Sequence, residues 1–582
     1  LGGLSRPPFF VLPGGATICP PLPLDIRRRA RHLPAMRVPL CLAALIVAAP
    51  GLAMARPAPM SDTPLHAYVI GRYAALDNDL ALASRLLDEA HAAQPAAAGV
   101  TRRAWELALM AGDRQKAFQL SRSLVATGAT DPEIMMLRLA EAALRKDWVQ
   151  VSQLRQKLGS QGWPMVAGPV IDAWAAAARG DSAAALLLLD PQRHQGFMRG
   201  YIAEQRAHLL ASLGRWDEAA TAYRQARAGG GGAGLFLRLG QADALAMAGK
   251  REEALAVLYP GDQPTAAARA KLMAGKRLGL LAAEPRQGLA WLSVRLSADL
   301  ARERAEPLSL LFARLATWLA PELPMGWLAT ADALGRAGFE QPALAALQQV
   351  PGGQGLDGAV RARRAEIMEA AGQGEAAGKL LRAAADAQDA SLEDLQLLAG
   401  WHRRAGRYGD AAMVYGSAID RFGRAEGSAA WNLHYLRGMM RDRAGDWPGA
   451  EADFRAALAL FPDEPGVLNY LGYSLMERGE RTSEARRMIE RAAELRPGDG
   501  GIIDSLGWVL LQSGDVDKAV ATLERAVSLE PQDATIVSHL GDALWRQGRR
   551  IEARFRWRQA LGLEADDALR RRLQARLDYG LD

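Results

Sequence analysis

Gly229, Gly231 and Gly234 stand at the GxGxxG spacing that can cradle a pyrophosphate. That chemistry needs a strand leading into the glycines and a helix leaving them, so that backbone amides converge on the phosphates. Here the helical pattern "DEAATAYRQARA" leads in, and no acidic residue follows at the expected place in a βαβ pattern. The glycines are read as a flexible connection. After residue 55 the histidines are His66, His91, His194, His208, His402, His434 and His539. They form no HExxH and no pair close enough in sequence to build a zinc site locally. Neither a GxSxG nucleophile elbow nor a GxxxxGK(S/T) phosphate loop occurs. Carboxylates are many, but they fall where solvated helical faces and turns are expected. No catalytic residue, cofactor or metal is expected.

The elements that could position a functional group are helices. The chain is 49% hydrophobic and only 6% aromatic, and its Ala, Leu, Arg, Glu and Gln lose little freedom in a helix. Near the C-terminal end one phrase recurs: "LNYLGYSLMERG", "IIDSLGWVLLQSG" and "VSHLGDALWRQG". Leu471-Gly472, Leu506-Gly507 and Leu540-Gly541 are spaced by 35 and 34 residues. Ala485, Ala519 and Ala553 follow every 34, as do Ala492, Ala526 and Ala560, and Pro497 and Pro531 close the first two units. Such a period predicts a helix–turn–helix array. The glycine lets the second helix approach the first, and the first alanine sits at that crossing. The second alanine, two turns on, meets the next unit. Proline then ends the second helix.

These positions resemble the tetratricopeptide repeat. Gly438, Ala450, Ala457 and Pro462 fit an earlier unit, and Gly71, Ala83, Ala90 and Pro95 fit one near residue 70. Leu398, Ala411, Tyr415 and Ala418 fit a further unit, as do Ala207, Ala219, Tyr223 and Ala226. The resemblance covers most of residues 62–565, strongly in the last 190 and weakly in the middle. Residues 265–320 are helical by pattern without assignable unit boundaries. The resemblance implies an all-α, right-handed superhelical solenoid whose first helices line a concave groove for a ligand.

Carried onto this chain, the groove positions are Tyr470, Tyr473, Trp508, Gln512, Asp542, Trp545 and Arg546. Aromatic anchors beside arginine are the usual make-up of a binding hot spot. The same rings could instead pack between helices. Trp557, at the large-residue position of a second helix, is expected in the core. The family's carboxylate clamp is not expected, because Asn469 stands where Lys would be wanted and Trp508 or Tyr473 where Asn would be.

The first 55 residues carry six arginines and one aspartate, so without them the formal charge falls from +6 to +1. A nearly neutral body gives nucleic acid no electrostatic purchase. Within "MRVPLCLAALIVAAPGLAMARP", the apolar run Val38–Ala49 is too short to span a bilayer comfortably, and Ala53-Met54-Ala55 offers small residues for cleavage. Residues 36–55 are therefore expected to be a secretory signal, and residues 1–35 a disordered, over-extended gene model. Both cysteines, Cys19 and Cys41, fall in this leader, and no later run predicts a transmembrane segment.

The expected organisation is an N-terminal solenoid over 62–258, degenerate helical repeats over 265–390, and a C-terminal array over 391–565. A capping helix over 566–582 carries Leu569, Leu573 and Leu577 on one face. A soft boundary falls near "LYPGDQPTA". The expected function is a non-enzymatic scaffold that binds a protein or peptide in the periplasm, with any membrane association arising through that partner. The alternatives are a regulatory subunit or hydrolase with its site in the degenerate middle, or a cytoplasmic adaptor if the leader is retained.

Overall fold

Glycines with positive φ and aspartate caps punctuate the chain into short helices. Gly479, Gly514 and Gly548 each turn the chain after a first helix at φ of 67°, 86° and 90°, a region that costs glycine little. Asp446, Asp499 and Asp533 accept backbone N–H bonds at the starts of the helices that follow them, each worth about 1 kcal/mol. The computed structural model describes residues 64–581, apart from 78, 96, 229–233, 259–262, 280, 353–355, 427–429 and 564–565. The expected leader, both cysteines and most of the glycine run lie outside the described residues.

Among the described residues two compact units emerge, one formed by residues 64–258 with 267–356, the other by residues 357–581 with 263–266. The division at 356/357 differs from the sequence boundary near 258, because helices after that boundary pack back into the first unit. No strand occurs among the described residues.

The first unit begins with six helical hairpins: α1 (Pro64–Leu76) and α2 (Leu80–Ala93), α3 (Ala98–Ala111) and α4 (Arg114–Ala126), α5 (Pro132–Leu144) and α6 (Trp148–Gln156), α7 (Trp163–Ala178) and α8 (Ser182–Leu188), α9 (Met198–Ser212) and α10 (Trp216–Ala228), and α11 (Gly234–Met247) with α12 (Arg251–Val257). Then follow α13 (Gln263–Met273), the pair α14 (Pro285–Arg302) and α15 (Glu306–Leu319), and the pair α16 (Pro324–Arg336) and α17 (Glu340–Gln348).

The second unit stacks α18 (Asp357–Ala370) and α19 (Gly374–Ala385), α20 (Leu392–Arg404) and α21 (Tyr408–Glu426), α22 (Trp431–Arg443) and α23 (Trp447–Leu460), α24 (Pro465–Glu477) and α25 (Thr482–Leu495), α26 (Gly500–Gln512) and α27 (Val516–Leu529), and α28 (Ala534–Arg546) with α29 (Arg550–Leu561). A further helix, α30 (Asp567–Tyr579), packs on α29. Each hairpin touches the next, and successive first helices α24, α26 and α28 lie side by side. This is an all-α solenoid of helix–turn–helix repeats.

The repeat positions do what their spacing requires. A Cβ on Gly472 would lie 2.9 Å from the Ala485 carbonyl oxygen, and one on Gly507 2.5 Å from Leu523 Cγ. On Gly541 it would meet Trp557 at 2.5 Å, and on Gly438 Phe454 at 2.7 Å. Only hydrogen fits at these crossings. Ala450, Ala457, Ala485, Ala492, Ala519, Ala526, Ala553 and Ala560 are wholly buried, as are Leu471 and Leu540, whereas Leu506 is half-buried. Trp557 is wholly buried too. Near the start of the first unit, Gly71 faces Leu86 and Leu87, and Ala83 and Ala90 are buried. Pro95, Pro462, Pro497 and Pro531 follow the ends of α2, α23, α25 and α27.

Candidate functional site

The layer of first helices differs between the two units in what covers it. In the first unit it is covered by the chain itself. Helix α14 packs on α7 and α9, and α15 packs on α3 and α5. The seam is aromatic. Trp163 meets Phe312 edge to face at 4.9 Å, Phe118 meets Trp318 at 5.6 Å, and His208 stacks on Trp291 at 4.8 Å. Gly288 on α14 sits so close to Trp174 that a Cβ there would overlap the indole.

The polar groups of this seam are paired with one another. Trp174 Nε1 donates to Gln205 at 2.9 Å, and Arg295 bridges Glu204 and Asp299, each at 3.0 Å. Tyr201 donates its hydroxyl to Asp299. Arg314 is buried, and among the described residues no carboxylate pairs with it. Its Nε and a terminal nitrogen donate to the carbonyls of Leu109 and Met110 at 3.0 and 2.7 Å, closing the C-terminal end of α3. Burial draws its pKa down to about 10, so it remains charged at neutral pH. The degenerate middle of the sequence thus supplies a packed plug over 285–319.

In the second unit the corresponding layer carries the sequence-predicted groove residues, and the structure sorts them. Tyr470 leans on Phe454 at 5.0 Å and donates to Asp442 at 3.0 Å, so it ties α24 to α22. Arg478 joins the same carboxylate at 2.6 Å. Asp542 is buried, accepting from Trp557 Nε1 at 2.9 Å and pairing with Arg576 of α30 at 2.7 Å. Burial raises its pKa, against the pull of Arg576 and Trp557. Trp545 lies 5.3 Å from Trp557 and donates to the Leu581 carbonyl at 2.9 Å, closing the contact with the end of α30.

Asp542 is buried, and half-buried Tyr470 and Trp545 spend their polar atoms on the contacts above, which leaves four of the seven for a partner. Gln512 and Arg546 are exposed, and Tyr473 and Trp508 are half-buried. Trp508 stacks on His539 at 4.5 Å, and His539 Nδ1 bonds Asp504 at 2.8 Å. Burial works against the imidazolium, but the bond to Asp504 and the charges of Asp504 and Asp542 raise the His539 pKa overall. Burial, then Glu477, push the Tyr473 phenol far above its ordinary range. Asp504, which is buried, and Arg576, which is half-buried, hold this face together and were missed by the sequence reading. The 35-residue step from Asp504 to His539 was the available signal.

The other histidines are scattered over separate repeats. His91 bonds Thr101 at 3.0 Å, His208 bonds Tyr223 at 2.8 Å and His434 lies 3.4 Å from Asp453. Among the described residues no group of three or more His, Cys, Asp or Glu side chains could hold a metal ion. No described helix is long and apolar enough to cross a membrane.

Family models agree with the hairpins of the second unit. A tetratricopeptide repeat model matches residues 402–465 and 435–500, and a TPR repeat model matches 507–548. A TPR repeat-containing protein of Pseudomonas aeruginosa is 41% identical over 64 residues, which are 11% of this chain and 11% of that protein. The chain therefore spans about a tenth of the length of the curated relative it matches. Among solved structures, the Cut9–Hcn1 hetero-tetramer of the APC/C is similar over 89% of this chain and 96% of its own, at 14% identity and TM-score 0.33. A thermophilic TPR protein of Thermus thermophilus matches 32% of this chain and 99% of its own, at 23% identity and TM-score 0.28. YrrB, titled a TPR protein with an unusual peptide-binding site, matches 34% and 98%, at 18% identity and TM-score 0.26. On both the family matches and the hairpin geometry, residues 402–500 and 507–548 carry tetratricopeptide repeats.

Proposed function

We propose that this chain is a non-enzymatic scaffold that holds a partner polypeptide on the first-helix layer of its second unit. One observation carries the reading. The first unit covers its first-helix layer with its own α14 and α15, whereas α24, α26 and α28 present half-buried Tyr473 and Trp508 beside exposed Gln512 and Arg546. Rings held by packing, with polar groups beside them, lose little freedom on binding and anchor a peptide well. The departure from the carboxylate-clamp pattern favours recognition through aromatic contact over capture of a terminal carboxylate.

The reading places the protein in the cell envelope of a Gram-negative bacterium. Its support is the signal-like stretch Met36–Ala55 and the absence of cysteine after Cys41.

A photo-cross-linking residue at Gln512 reports on the first-helix layer, and one at exposed Ala521 on the outer face of α27 is the control. In envelope extracts, a discrete adduct from position 512 and none from 521 is the expected result. Equal adducts from both positions, or none from 512, overturn the scaffold reading. N-terminal sequencing of the chain recovered from the envelope tests export, and a retained leader overturns that part.

A further inference from the structure

Three repeats of the second unit present the same outward positions on their second helices, and the last one breaks the pattern. On α25 these positions are Ser483, Arg487 and Glu490; on α27 they are Asp517, Ala521 and Glu524. On α29, at the same 34-residue steps, they are Ile551, Phe555 and Arg558. Ile551 is 87% exposed and Phe555 63% exposed, although Ala553, Trp557 and Ala560 bury the opposite face of that helix completely. The helix is thus fully seated in its repeat and still shows an isoleucine and a phenylalanine, one turn apart, to water.

The charge around this pair is mostly positive, Glu552 being taken up by Arg549. Arg550 and Arg554 lie along the side of α29 that meets Trp545, with centroid distances of 5.1 and 5.8 Å. The Arg556 guanidinium sits 6.0 Å from the Phe555 ring. Arg558 is exposed on the outward face itself. Arg549 pairs with Glu552 at 2.5 Å, while among the described residues neither Arg554 nor Arg558 pairs with a carboxylate. An acidic outer position (Glu490, Glu524) has become a basic one, and two polar or small positions have become apolar.

We propose that the outward face of α29 docks on an anionic phospholipid surface, with Ile551 and Phe555 entering the headgroup layer and Arg554 and Arg558 meeting lipid phosphates. Two exposed apolar side chains are too few for a stable protein interface, which buries about 800 Å² per partner. They suit shallow insertion, where apolar burial and arginine attraction add together. Arginine pairs with phosphate through two parallel N–H bonds and keeps its charge at any physiological pH. The surface lies on a second helix, away from the first-helix layer, so the proposal stands or falls independently of the peptide-scaffold reading.

The test is partitioning of the full chain onto vesicles of phosphatidylcholine, with and without phosphatidylglycerol, alongside Ile551→Ser/Phe555→Ser and Arg554→Gln/Arg558→Gln. All three chains carry the same leader, so differences among them belong to α29. The expected result is tighter partitioning on phosphatidylglycerol vesicles, weakened by salt and reduced about tenfold or more in each double variant. Circular dichroism should show the same helicity for all three, since the substituted side chains lie outside the core. Equal partitioning of the three chains overturns the proposal, as does a lack of preference for phosphatidylglycerol. Loss in the arginine variant alone would mean purely electrostatic adhesion and would equally overturn apolar docking. Acidic protein segments binding α29 while the vesicles do not would assign the face to a protein partner instead.

Discussion

The Trp508 indole lies over the His539 imidazole, ring centroids 4.5 Å apart and planes 26° from parallel, and Asp504 bonds the imidazole Nδ1 at 2.8 Å. This ties α26 to α28 across the face proposed to bind a partner. It also makes that face sensitive to pH, because the bond to Asp504, working against burial, raises the imidazole pKa.

His539 and His208 should give the two units opposite responses to pH. The His539 pKa is raised in the fold, so its contribution is complete below the unfolded value of 6.5 and is lost as the pH rises through the higher folded value. Burial lowers His208 to about 3, so the unfolded chain takes up a proton that the folded chain refuses. The first unit then loses stability as the pH falls from 6.5 towards 3, at about 1.4 kcal/mol per pH unit. Hydrogen exchange followed peptide by peptide should show acid weakening around α9 and alkaline weakening around α28. His208→Gln, which cannot take up the proton, should abolish the acid slope, and an unchanged slope would refute the assignment.

Replacing Tyr473 and Trp508 together by alanine should weaken partner capture at least about tenfold, the range of an aromatic hot spot. Helicity should remain near that of the parent chain, because both rings are half-buried rather than central. A collapse of the helical signal would mean that the rings are core and would withdraw them from the binding face.

Gly507→Ala should destabilise the second unit by about 1–3 kcal/mol, since its Cβ would fall 2.5 Å from Leu523 Cγ. Gly507→Leu should unfold the neighbouring repeats outright. Combining Gly507→Ala with Leu523→Ala should cost less than the sum of the two changes, because the second relieves the clash created by the first. Thermal melts of the three variants measure this directly, and strict additivity would argue against a tight crossing at this site.

Arg314→Met should cost the first unit about 2–3 kcal/mol. It leaves the Leu109 and Met110 carbonyls without their buried donor while nearly preserving the aliphatic volume. Urea unfolding reads the loss, and a change below about 0.5 kcal/mol would show that water replaces the guanidinium.

Much of the second unit was legible because its contacts are local in sequence. The Gly472–Ala485, Gly507–Leu523 and Gly541–Trp557 crossings join residues within one hairpin, and each writes a fixed spacing into the chain. The first-unit plug left no such trace. Arg314 and Leu109 are 205 residues apart, and nothing in either neighbourhood announces the other. The stretch 265–320 therefore read only as helix, and the division at 356/357 had no counterpart in the spacing of the repeats. Within the candidate site, repeat position located the right layer but not the depth of each side chain. Asp542 occupies the place that Trp508 holds one repeat earlier, yet Trp557 and Arg576 close over it. Depth depends on what neighbouring helices bring, and spacing alone does not carry that.

The self-filled interior of the first unit has a mechanical corollary. A stack joined only from hairpin to hairpin yields to tension gradually, losing one repeat at a time from an end. The second unit, in which the ties between described residues run between adjoining repeats, should extend in small, evenly spaced steps under an optical trap. The first unit is laced across its own sequence by Arg314, Trp163–Phe312 and Arg295–Glu204, so no single hairpin can leave before the lacing parts. It should hold to a higher load and then rupture in one large event, making the same chain a soft tether at one end and a rigid block at the other.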